Sequence, residues 1–398
     1  MMAAPAAMAV AWTVTKLENR DSIITALASM VKLSASRRLT VSSSRMESRF
    51  SSFVTVQATA IAAGAAIMCG LWRSDYRRWL QWHWWFYGIA IVALLLVLSP
   101  AGTYRNGAQR WIFGTQPAEF AKVPLLLTLA AWGSRFGPRM RFGGTVSTLL
   151  WGLVLPGLVI VPFLGLLYKQ PDRGTMMLFG MVTVVVLLLS GMPKRFAIIP
   201  TLLGAGLGVH FYNSSKMVRD RMDAFLHPEL FPQTTGSQAL KSLAALREGG
   251  LDGVGLGSGV IKLTIPEQHT DFILPVIGEE LGLFFTLGVL VAFVVILLCS
   301  VRIAARAADV EGRLLAGGIG FLIACQAMIN IAVVTNSMIN KGMPLPFVSR
   351  GGLSAVSMMI LIGLLLSIAR RAPETAAAPR RSGSNPFETS ELESLPAQ

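Results

Sequence analysis

Charge is scarce in this chain of 398 residues: Asp, Glu, Lys and Arg make up 14% of it, where a soluble domain carries about a quarter. Hydrophobic residues make up 53%, and mean hydropathy is +0.58. One soluble core could not hide so much apolar surface, so a soluble enzyme is excluded and a multi-span membrane protein remains. Cysteine is scarcer still. Cys69, Cys299 and Cys325 all lie inside apolar runs, and they offer neither a disulfide framework nor a metal knuckle. No charged n-region precedes the short apolar stretch at the start, so no cleavable signal peptide is expected. Acidic residues are the scarcer sign, 21 against 35 basic, for a net charge of +14. The cations collect in short segments between apolar runs. That placement fits membrane flanks and not a nucleic-acid partner.

Long apolar runs are what the chain has in quantity. They lie at about 52–72, 82–100, 117–134, 146–168, 174–191, 195–213, 272–300, 314–336 and 348–369, each near the roughly 20 residues that span a bilayer. A weak, degenerate first span lies at 22–36, interrupted by Lys32. The expected fold is an all-α, polytopic helical bundle of about ten transmembrane helices. Residues 1–50 form an N-terminal segment with that weak span, and 51–370 form the transmembrane domain. Residues 371–398, rich in Ser, Pro and Glu, form a disordered tail.

Lys and Arg in the short connections set the orientation. One alternate set holds Arg73, Arg77, Arg78, Arg135, Arg139, Arg141, Lys194, Arg195, Arg302, Arg306, Arg313, Arg370 and Arg371. The other holds Arg105, Arg110, Lys169, Arg173, Lys341 and Arg350. The richer set, with the C-terminus, is expected in the cytoplasm, and the long loop 214–271 outside it. Arg37, Arg38, Arg45 and Arg49 fall on the outer side against this bias.

The outer connections are not neutral filler. Asn106 to Ile112 carries Arg110 beside Trp111. Gln116 to Lys122 places Pro117 at a helix start, with Glu119 in the first turn facing Lys122 three residues on. That pair reads equally as a helix-end brace or as part of a site. Arg110 reads as an interfacial anchor or as a fork for a phosphate. Asp172, in Gln170-Pro-Asp-Arg-Gly-Thr175, reads first as a helix cap. Lys216 to Phe225 reads as a basic amphipathic piece on the bilayer surface. Gly249 to Gly257 is Gly-rich but lacks the context of a nucleotide loop, so a closely packed turn is the better reading.

Pro266 to Phe272 runs into an apolar helix that still carries Glu279 and Glu280. Thr270 or Asp271 could cap that helix. A cap needs one such residue, however, and Glu267, His269, Thr270 and Asp271 cluster there, so Asp271 is also a candidate acid or base. Adjacent carboxylates within a span mark function or a buried pair. Asn340 to Gly352, with Pro344 and Pro346, makes a kinked approach to the last helix and carries Lys341 and Arg350. Gln326 and Asn330 share one face of the preceding span and suit interhelical hydrogen bonding. These segments together predict one outer-facing polar cavity.

In this order the segments resemble the SEDS family of FtsW, RodA and SpoVE, integral-membrane peptidoglycan glycosyltransferases. The resemblance covers residues 52–370. It rests on Gly107-Ala-Gln-Arg-Trp-Ile, Gln116-Pro-Ala-Glu-Phe-Ala-Lys, Gln170-Pro-Asp-Arg-Gly-Thr, Pro266-Glu-Gln-His-Thr-Asp-Phe-Ile, Ile277-Gly-Glu-Glu-Leu-Gly and Leu345-Pro-Phe-Val-Ser-Arg-Gly-Gly. Ile277 to Gly282 and Lys341-Gly before Leu-Pro-Phe are closer to the division branch, FtsW, than to the elongation branch. The resemblance implies ten spans in the bacterial inner membrane, both termini cytoplasmic, and polymerisation of lipid II into glycan strands. It implies an essential acid at Asp271, importance for Arg110, Glu119 and Lys122, and a class B penicillin-binding protein as partner. Ala118, Arg173, Arg350 and Leu353 depart from the family pattern.

The expected mechanism takes Asp271 as general base and Arg110 as pyrophosphate ligand, with Glu119 and Lys122 as an orienting pair; Arg110, Glu119 and Lys122 join His269, Lys341 and Arg350 as the substrate-binding set. No cofactor is called for, although a divalent cation (Mg or Mn) could assist at the phosphates. Competing readings are a lipid II flippase, a RodA-like elongation polymerase and a non-catalytic scaffold. Charges confined to one side favour the enzyme, because alternating access needs a midplane site.

Overall fold

The computed structural model describes Thr55 and residues 57–105, 108–228, 235–265 and 269–372. Chain contacts separate Met1–Ala60 from Ile61–Gln398. Of the first unit only Thr55 and 57–60 are described, and they are helical. The weak span at 22–36, the arginines of 37–50 and the tail from 373 lie outside the described residues.

Each of the nine expected spans is a helix. They are α1 (57–73), α3 (His83–Val97), α4 (Pro117–Phe142), α5 (Gly144–Lys169), α6 (Arg173–Leu189), α7 (Ile198–Ser214), α10 (Ile273–Arg306), α11 (Val310–Val334) and α12 (Gly352–Arg370). A short α2 (Tyr76–Gln81) joins α1 to α3. Among the described residues, five helices (α5, the extended α7, α10, α11 and α12) are long and apolar enough to cross a membrane by length and composition. Helix α4 is not among those five; it carries Glu119 and Lys122 in its first turns and Arg139 and Arg141 in its last.

The structure adds elements the sequence reading did not contain. A short two-stranded antiparallel hairpin, β1 (Thr103–Arg105) and β2 (Ala108–Trp111), lies between α3 and α4 of the otherwise helical bundle. The stretch 214–271 is more than one amphipathic piece in a loop. It holds α8 (Lys216–Leu226), α9 (Thr235–Gly249) and a 3-10 turn at Ile261–Thr264. No apolar run marks α9, because it covers the bundle end with one face and does not span.

The core lies around α11, which packs against α10, α4, α6 and α12. Small residues let the helices approach, as membrane interfaces require. A Cβ at Gly320 of α11 would stand 2.4 Å from Ser300 Cβ of α10, and one at Gly318 would stand 2.8 Å from Leu126 Cδ2 of α4. By contrast, α7 buries no residue and sits at the periphery.

Helix α10 is broken. Gly282, with φ +79° and ψ −174°, interrupts it two turns in. Loop 250–255 docks there: Val254 N–H donates to Glu279 O (2.9 Å), Gly255 N–H to Glu280 O (3.0 Å) and Leu283 N–H to Gly250 O (3.0 Å). The Glu279 carboxylate, buried, accepts from the Ile261 and Lys262 amides at 2.7 and 2.8 Å, and Glu280 pairs with Lys262. The adjacent carboxylates are therefore a clasp for the 3-10 turn, while their backbone carbonyls hold the Gly-rich loop. At the opposite end Asp309 caps α11 through Gly312 N–H (2.6 Å) and pairs with Arg77 (2.7 Å).

Candidate functional site

Four segments converge at one end of the bundle: the β-hairpin, the α5–α6 turn, α8 with the His269–Asp271 turn, and the connection 335–351. Arg110 extends from β2. Its Nε donates to Gln170 O at 3.2 Å, its Nη2 donates to Pro171 O, and its Nη1 lies 3.8 Å from Asp172 Oδ1. Arg110 thus has a partner that its own segment did not reveal. Asp172 does cap α6, accepting from Thr175 N–H (3.3 Å) and Thr175 Oγ1 (2.9 Å), and it also accepts from Gln116 Nε2 at 3.1 Å. One carboxylate therefore ties the hairpin, the α4 start and the α6 start together.

Pro117 occupies the first turn of α4 as expected. Glu119 and Lys122 below it are 4% and 0% exposed. They pair at 2.7 Å, and Glu119 Oε2 accepts from Ser354 Oγ of α12 at 2.6 Å. Lys122 Nζ donates to Gln326 Oε1 of α11 at 2.8 Å, and Gln326 Nε2 donates to Pro344 O at 2.8 Å. The pair thus has the enclosed, cross-braced setting of orienting residues. Both are enclosed, and they brace α4, α11 and α12 beneath the 335–351 connection.

Asp271 stands on that connection. Asn330 Nδ2 of α11 donates to Asp271 O (2.8 Å) and to Met343 O (2.7 Å). Ser349 Oγ donates to Thr270 O at 2.5 Å, and Arg350 N–H donates to His269 O at 2.7 Å. Gln326 and Asn330 thus hydrogen-bond more than helices: they fix the connection and the aspartate turn. Gly342, at φ +56°, leaves the room that Asp271 uses, since a Cβ there would stand 3.0 Å from Asp271 Oδ2. The N-cap position of α10 belongs to Phe272, which brings no side-chain hydrogen bond, so neither Thr270 nor Asp271 is the capping residue.

Of the other expected residues, His269 and Arg350 are exposed beside Asp271. Lys341 is half-buried, and its Nζ rests on Met177 Sδ of α6 at 2.8 Å. Burial lowers its pKa. The sequence reading missed Arg221 as a site residue. It sits on α8, donates from Nη1 to Asn340 O at 3.2 Å, and lines a cleft with Phe272 and Asn340. Burial lowers its pKa first, Arg110 and Arg173 lower it further, and Asp271 opposes them. That links four charged groups from four elements. The sequence signal was only an arginine on an amphipathic helix, too common to single out.

Among the described residues no three His, Cys, Asp or Glu side chains stand close enough to hold a metal ion. The groups in electrostatic range of Asp271 include the Arg221 guanidinium. The residues described do not form a metal cage.

The family described as "Cell cycle protein", labelled FtsW/RodA/SpoVE, matches residues 21–374. The chain belongs to this family. A relative from Trichlorobacter lovleyi named probable peptidoglycan glycosyltransferase FtsW is 38% identical over 74% of this chain and 78% of its own. The stage V sporulation protein E of Bacillus subtilis is 34% identical over 77% of this chain and 84% of its own. Among solved structures, one of a peptidoglycan synthase complex described as coordinating polymerization and crosslinking matches at 26% identity and TM-score 0.67, covering 81% of this chain and 90% of that one. Thermus thermophilus RodA shares the fold at TM-score 0.58 and 24% identity, covering 81% and 89%.

Proposed function

We propose that this chain is a peptidoglycan glycosyltransferase of the FtsW type, polymerising lipid II at the outer face of the bacterial inner membrane beside a class B penicillin-binding protein. The observation that carries the reading is the seat of Asp271. Its backbone is fixed by Asn330, its neighbours by Ser349 and the Arg350 amide, and its carboxylate lies against a glycine within range of Arg221.

A sugar hydroxyl is a poor nucleophile until its proton is removed. The Asp271 carboxylate takes that proton as general base. The freed oxygen bonds to the anomeric carbon of the donor sugar. The bond from that carbon to the diphosphate oxygen breaks, and the diphosphate leaves with the electron pair. Arg110, held by two carbonyls and Asp172, faces the charge that develops there. Glu119 and Lys122 act as positioning residues through Gln326, and no step is routed through a metal.

The test uses the purified full chain with its partner transpeptidase and labelled lipid II. Asp271→Asn is expected to lower the polymerisation rate about a hundredfold or more, the ordinary worth of a general base. Polymer formed at the parent rate would overturn the assignment.

A further inference from the structure

We propose that Arg173 and Arg221, together with Arg110, form an arginine arc that grips the diphosphate of a polyprenyl-linked substrate beside Asp271, an inference that rests on the glycosyltransferase reading of this site. The three guanidiniums come from three elements: β2, the first residue of α6, and α8. Arg173 Nη2 donates to Ser215 Oγ at 3.1 Å, and its guanidinium lies 5.1 Å from the Phe211 ring centroid. Ser215 is the residue from which α8 starts, so the same contact aims Arg173 and anchors the helix that carries Arg221. Arg221 in turn is held by Asn340 O, two residues before the glycine that seats Asp271.

The charges do not balance within the protein. Arg173 stands in electrostatic range of Arg110, and Arg221 in range of both. Among the described residues neither Arg173 nor Arg221 makes an ion pair. Arg110 does, with Asp172, whose oxygens already serve Thr175 and Gln116. Half-buried guanidiniums that repel one another cost stability, and such a cluster is kept where an anion completes it. Planar forks match phosphate oxygens in pairs, and a diphosphate is long enough to engage more than one of them. The arc stands where the leaving group gains charge, so its grip tightens as the sugar–oxygen bond breaks.

The experiment places the full chain in phosphatidylcholine nanodiscs and measures binding of undecaprenyl diphosphate and of undecaprenol. The parent is expected to prefer the diphosphate. Arg221→Gln and Arg173→Leu are each expected to weaken diphosphate binding about tenfold or more, the worth of one charge-assisted contact, with undecaprenol binding unchanged. Arg173→Leu keeps the test open should Arg221→Gln fail to fold, because leucine continues α6. Diphosphate binding at parent strength in the folded variants would overturn the arc. Asp271→Asn, measured alongside, is expected to bind diphosphate as well as the parent while losing polymerisation. If it polymerises instead, the base assignment falls and the binding result still decides the arc.

Discussion

Lys122 is the most enclosed charge in the described protein, and its surroundings explain how a membrane bundle tolerates it. An ammonium in hydrocarbon is expensive unless paired and hydrogen-bonded. Lys122 has both forms of relief, from Glu119 at 2.7 Å and Gln326 at 2.8 Å. Removing one member of such a pair costs more than removing both, because it strands the other charge. Lys122→Met is therefore expected to destabilise the protein by about 3–5 kcal/mol, and Glu119→Gln combined with Lys122→Met by less than Lys122→Met alone. Thermal unfolding in detergent, followed by tryptophan fluorescence, checks the order. A double variant weaker than Lys122→Met would mean the pair does not act as a unit. The position of the pair was legible in the sequence from its spacing at a helix start. Its depth was not, because burial there is set by α11 and α12, two hundred residues away. Asp271 shows the converse. Its local cluster of polar residues marked it, but its seat depends on Gly342, Asn330 and Ser349, which no local pattern ties to it.

At the scale of elements, the break in α10 does the most to shape the site. Gly282 adopts a backbone conformation open almost only to glycine, and a Cβ there would meet Leu251 O at 2.3 Å. The break frees the carbonyls of Glu279 and Glu280, and loop 250–255 takes them up. The short piece of helix that follows Asp271 is thereby clamped to α9 and the 3-10 turn. Gly282→Ala is expected to undock this loop, speeding exchange of the Val254, Gly255 and Leu283 amides together while the Tyr76–Asp309 end stays protected. Hydrogen exchange by mass spectrometry reads both ends at once. Unchanged protection of 250–265 would show that the loop holds without the break. The length of the apolar runs exposed nine helices, yet a glycine in an apolar run gives no sign of whether it kinks the helix or packs it. The carboxylates beside Gly282 were the visible clue.

At the scale of the molecule, the proposed chemistry depends on which end faces outward. The proposed reaction requires the end with Arg110, Arg221 and Asp271 to face out of the cytoplasm and the end with Arg77, Arg139 and Asp309 to face into it. Charge favours that orientation: the connections at the Arg77 end hold more Lys and Arg than the short ones at the site end. Two exposed positions make it measurable, Ser258 just past the docked loop and Ala308 between α10 and α11. In a variant with Cys69, Cys299 and Cys325 replaced by serine, Ser258→Cys is expected to react with a membrane-impermeant maleimide in intact spheroplasts. Ala308→Cys is expected to react only after permeabilisation. Neither position is among the residues proposed to act on substrate, so lipid II polymerisation can be followed in the same preparations. The reverse labelling order would put Asp271 in the cytoplasm. No grafting of sugars onto an external glycan could then pass through it, however well the arginines and the aspartate are arranged.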